Sequence, residues 1–70
     1  GDVDATTRYS LRVLERDPYD EPAHLGLVAA LERAGRHGEA RRRFRAYCAR
    51  MDEIGVESAP FPAPQSRPEL

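Results

Sequence analysis

Three side chains in this sequence have soft metal-binding or nucleophilic character: His24, His37 and Cys48. A protein zinc site draws its ligands in close pairs a few residues apart, and these three are too widely spaced for any such pattern. A nucleophilic cysteine needs a base within reach, and no histidine lies at a helical spacing from Cys48. Cys48 therefore reads as a small buried hydrophobe, and His24 as a helix-face residue packed near Tyr19. No serine occupies a strand-to-helix elbow, and no glycine-rich loop has phosphate-binding spacing; Gly35 and Gly38 read together as a turn. The expectation is a chain without catalytic residues, without a cofactor and without a metal site, so not an enzyme.

The remaining chemistry lies in charge. Arg41, Arg42, Arg43, Arg45 and Arg50 crowd one segment, a density that would suit the phosphates of a nucleic acid. At about 100° per helical residue, however, Arg42, Arg43 and Arg45 point in different directions, with Glu39, Asp52 and Glu53 interleaved among them. That pattern reads as a solvated, salt-bridged face, in which Glu39 and Arg43 stand one turn apart in the favourable order. A small DNA-binding helical domain is kept only as a third reading.

The elements that would position these residues are bounded first by size, since 70 residues form one small domain with no room for a deep catalytic cleft. Eleven basic against twelve acidic side chains leave a net charge of -1, which gives no global attraction to nucleic acid or anionic membrane. Every basic side chain other than the histidines is arginine. A single cysteine cannot form an internal disulfide, no apolar run approaches the roughly 20 residues of a membrane span, and Gly1 to Asp4 lack the regions of a signal peptide. A cytoplasmic location is expected.

Hydrophobic periodicity predicts three helices. The first runs from about Asp4 to Arg16 with Val3, Thr7, Ser10, Leu11 and Leu14 on one face, and Pro18 closes it. The second starts at Asp20, whose carboxylate can cap the first turn, and Pro22 fits that turn because its missing N–H has no partner to lose. His24, Leu27, Val28 and Leu31 then share a face up to Gly35, which suits the left-handed residue beyond a helix end. The third, about Gly38 to Ile54, carries Ala40, Phe44, Tyr47, Met51 and Ile54 in one stripe. It ends at Gly55, with Val56 expected to fold back toward Met51. From Ser58 to Leu70 the chain holds four of the six prolines and no periodicity, which predicts an extended or disordered tail. Within it, Pro60-Phe61-Pro62-Ala63-Pro64 reads as a linker, a packed strap or a polyproline ligand.

The run from Ala23 through Gly35-Arg36-His37-Gly38-Glu39-Ala40 to Phe44 resembles a tetratricopeptide repeat, a helix-turn-helix unit. Together, Asp17-Pro18-Tyr19-Asp20-Glu21-Pro22-Ala23-His24, the Gly35 turn and Glu53-Ile54-Gly55-Val56-Glu57 are similar to the bacterial transcriptional activator domain of actinobacterial antibiotic regulators. The resemblance implies an all-α fold of three antiparallel helices over residues 1–57, a tetratricopeptide-like hairpin with one preceding helix. It also implies that Gly35 makes the turn between paired helices, Ala40 allows their close approach, Phe44 fills the space between them and Pro18 ends the preceding helix. Val28 and Tyr47 replace the small residues of a generic repeat, and Ser58 stands where the family usually has proline. Family domains are about twice as long and follow a winged-helix DNA-binding domain, so DNA would be engaged only through a separate domain.

One and a half repeats cannot bury both faces of their helices. Apolar residues off the main stripes, Leu11, Val13 and Leu25, together with Tyr47, are the candidate contacts to a protein partner or a second copy. The function implied is protein contact or self-association within a transcriptional regulator, the alternative being a generic scaffold repeat unrelated to transcription. An N-terminus without methionine suggests processing or excision.

Overall fold

The structure, a computed structural model, describes residues 3–62. It contains α1 (Val3–Arg16), α2 (Glu21–Arg33) and α3 (His37–Glu53), and among the described residues no strand. The fold is all-α. Glu21 at the start of α2 meets Tyr47 late in α3, whereas Leu31 near the end of α2 packs with Ala40 early in α3, so these two helices run antiparallel. α2 is central and packs on both α1 and α3; among the described residues α1 and α3 do not pack on each other.

Local chemistry fixes the boundaries. After α1, the Asp17 N–H donates to the Val13 carbonyl at 2.8 Å, and the Asp17 carboxylate accepts from the Tyr19 N–H at 3.1 Å. Asp20, with extended backbone, caps α2 by accepting the Ala23 N–H at 2.9 Å, and Pro22 sits in the first turn. This satisfies one of the amides that a helix start leaves without an intrahelical partner.

Both α2 and α3 end in the same six-residue closure. The Arg36 N–H donates to the Leu31 carbonyl at 2.9 Å and the Gly35 N–H to the Glu32 carbonyl at 3.0 Å; at the second site Val56 bonds Met51 at 2.9 Å and Gly55 bonds Asp52 at 3.1 Å. Gly35 and Gly55 have φ of 78° and 70°, a region that a Cβ disfavours.

Leu27, Val28, Leu31 and Ala40 form the core, with Leu11 and Leu14 of α1 and Phe44 of α3 packed against it. Tyr47 and Met51 extend it along α3. Fully burying one such leucine stabilises the fold by roughly 1.5–3 kcal/mol, so this short row holds the helices together. Ser10 and Gly26 mark the close approach of α1 to α2, the hydroxyl lying 3.7 Å from where a Gly26 Cβ would stand.

At several positions the structure corrects the expectation from sequence. Ile54, expected in the buried stripe, is exposed as the residue that caps α3 beyond Glu53, and Val56, whose N–H returns to the Met51 carbonyl, keeps an exposed side chain. Gly38 is not part of the turn but lies in the first turn of α3. Glu39 pairs at 2.6 Å with Arg36, not with Arg43; Arg36 precedes the helix and its side chain reaches forward over the first turn. Residues 58–62 have no regular structure, and Phe61 packs on the core; the rest of the Pro-rich tail lies outside the described residues.

Candidate protein-contact surfaces

The residues of potential chemistry do not converge. His24 is buried, and its Nε2–H donates to the Pro18 carbonyl at 2.7 Å. Its ring lies 5.6 Å from that of Tyr47, so its aromatic neighbour is Tyr47, not the expected Tyr19. His37 Nδ1 stands 3.0 Å from Glu32 Oε2 at the other end of the hairpin, and Cys48 is half-buried on α3. Among the described residues no three His, Cys, Asp or Glu side chains gather as a metal site would require.

Tyr47, an outward contact by expectation, is instead fully buried. Its hydroxyl donates to Glu21 Oε2 at 2.5 Å and accepts the Ala59 N–H at 2.7 Å, joining α2, α3 and the chain beyond α3. Burial, and then the bond to the Glu21 carboxylate, raises its pKa above the ordinary 10.0. A phenolate there would lose water and face a carboxylate, so the neutral phenol is favoured. By contrast, Tyr19 bonds Glu53 Oε1 at 2.8 Å on the surface, where Arg50 also reaches Glu53 at 3.2 Å. The hydroxyl bond and Arg50 lower the Glu53 pKa; the same hydrogen bond raises that of Tyr19.

Of the other candidate contacts, Leu11 is half-buried on the core, where it also edges a groove between α1 and α3 with Leu14, Pro18, His24 and Ala46. Glu15 stands in that groove opposite Arg43 and Arg50. Leu25 is half-buried on α2. Val13 belongs to a different surface, a depression of about 410 Å³ between α1 and α2 lined by Thr6, Tyr9, Ser10, Val13, Pro22 and Ala23, among others. Tyr9 is 70% exposed at its rim and continues with Val13 into a second depression beside Arg12 and Arg16.

Sequence reasoning misses Tyr9 because it lies off the buried stripe of α1. The available signal is its spacing, three residues after Thr6 and four before Val13, which draws a second apolar stripe on the same helix. The arginines of α3, Arg41, Arg42, Arg43, Arg45 and Arg50, are all exposed.

Residues 1–61 match the family described as the bacterial transcriptional activator domain. No curated protein and no solved structure matches the chain significantly.

Proposed function

The chain belongs to the bacterial transcriptional activator domain family, and from that premise we propose that it acts by protein contact within a transcriptional regulator, not by catalysis. The family supplies the transcription context. The observation that supports a contact role is the outward stripe of α1, where Tyr9 is 70% exposed beside Val13 and the apolar wall of the α1–α2 depression. An aromatic ring left in water on a helix face is a feature of contact surfaces, since its burial releases a large apolar area while its hydroxyl stays hydrated at the rim.

A second copy of the chain is the partner proposed first, with a helix of another protein as the alternative on the same face. The cytoplasm is the proposed location; among the described residues no helix is long and apolar enough to cross a membrane. DNA is left to a separate domain. Arg36, just before α3, and Arg50, on it, are already engaged by Glu39 and Glu53, which breaks the single-sign surface that phosphate binding favours.

Amide chemical shifts followed against protein concentration test this reading. Movement concentrated on Thr6, Tyr9, Val13 and Ala23, and suppressed in Tyr9→Glu, is the expected result. Shifts confined to the arginines of α3, appearing only on addition of duplex DNA, would replace it with the nucleic-acid reading.

A further inference from the structure

Beyond α3 the chain turns back and lies on the α2–α3 hairpin. The Ala59 N–H donates to the Tyr47 hydroxyl at 2.7 Å, and the Phe61 ring meets Phe44 edge-on at a centroid distance of 5.1 Å and an interplanar angle of 67°. Phe44 and Tyr47 are themselves 5.6 Å apart, forming an aromatic wall. The segment seated on it reads Ser58-Ala59-Pro60-Phe61-Pro62, without regular structure.

These are the components of a peptide-recognition site. An extended ligand is held by a hydrogen bond to its backbone and by one ring in an apolar seat, while flanking prolines reduce the entropy lost on ordering it. The Tyr47 hydroxyl is positioned to take a backbone N–H because Glu21 accepts its proton at 2.5 Å and so orients the free lone pairs toward the segment. The geometry points to the Phe44–Tyr47 face of the hairpin as a docking site for an extended peptide with a phenylalanine between prolines, filled here in cis by residues 58–62. A partner segment of that chemistry displaces the strap and takes the same hydrogen bond and ring seat. This site is separate from the α1 face, and each can fail without the other.

A segment joined to its site by a few residues acts at an effective concentration on the order of millimolar. A strap closed about nine-tenths of the time therefore corresponds to a Kd near 0.1 mM for the same sequence presented in trans. The test uses a fluorescent octapeptide of sequence Glu-Ser-Ala-Pro-Phe-Pro-Ala-Pro and the full 70-residue chain. Phe61→Ala removes the cis ring, so this variant is expected to bind the peptide near 0.1 mM and about tenfold more tightly than the parent chain. The peptide with alanine in place of phenylalanine is expected not to bind. On the parent chain, whose apparent Kd is then near 1 mM, peptide at about 10 mM is expected to remove most of the nuclear Overhauser contact between Phe61 and Phe44, a readout that does not depend on the variant folding. Phe61→Ala of unchanged helicity that ignores the peptide, or a parent chain whose Phe61–Phe44 contact persists undiminished at about 10 mM peptide, would overturn the site. Self-association through Tyr9 would be unaffected by either result.

Discussion

At Gly35 and Gly55 the backbone enters the left-handed region, and a methyl group placed on Gly35 would meet no atom within 4 Å, so the demand for glycine is conformational and not steric. Gly35→Ala is expected to destabilise by about 1 kcal/mol. Gly38 is equally open but helical, and Gly38→Ala is expected to stabilise by about 0.5 kcal/mol, giving opposite shifts of the urea midpoint three residues apart. Tyr47→Phe leaves the Ala59 N–H without its acceptor and Glu21 without its donor, a loss of about 1–2 kcal/mol, whereas Tyr19→Phe on the surface stays within about 0.5 kcal/mol of the parent. The two tyrosines differ because only one of them has been taken out of water. Because the Tyr47 pKa is raised in the folded chain, its stabilisation is complete below the unfolded value near 10 and is lost as pH rises through the folded value. Alkaline melting followed by circular dichroism is expected to show that loss, with Tyr47→Phe removing this part of the pH dependence. For Glu53 the sign is reversed: the lowered pKa gives a contribution present above the usual carboxylate range and lost as pH falls through the folded value.

The helices are legible in the sequence to the extent that their ends carry local signals. Asp20 and Pro22 mark the start of α2, and Gly35 and Gly55 mark two closures, because each of these depends on backbone chemistry within a few residues. Asp20→Ala is expected to cost about 1 kcal/mol through the lost cap to the Ala23 N–H, and Leu31→Ala about 2–5 kcal/mol through loss of packing at the centre of the core, both read from equilibrium urea unfolding. Periodicity places Ile54 in the buried stripe because the pattern runs on through a helix end that the Gly55 turn imposes. The Glu21–Tyr47–Ala59 junction is not legible, since its members are 26 and 12 residues apart and no spacing rule connects them. Phe61 escapes for a related reason: an aperiodic segment gives no indication of which surface its one large side chain will cover. Tyr9 is hard to see because a helix between a core and solvent displays its buried stripe strongly and any second stripe weakly.

α2 uses both sides of its surface, one for α1 and one for α3, while among the described residues neither α1 nor α3 packs on a second helix. An arrangement with its central helix satisfied and its outer helices covered on one side has contact surface to offer, and the chain covers part of one such surface with its own strap. Among the described residues the α1 side remains open, with Tyr9 exposed. A contact function predicts that this surface, not the arginines of α3, governs how the molecule behaves in solution. The most direct measurement is sedimentation of the chain from micromolar to millimolar concentration at low salt, alone and with duplex DNA. The expected result is an average mass that rises with concentration, is held at the monomer value by Tyr9→Glu, and does not respond to the duplex. A concentration-independent monomer that co-sediments with the duplex, with affinity falling steeply as salt is added, would contradict it.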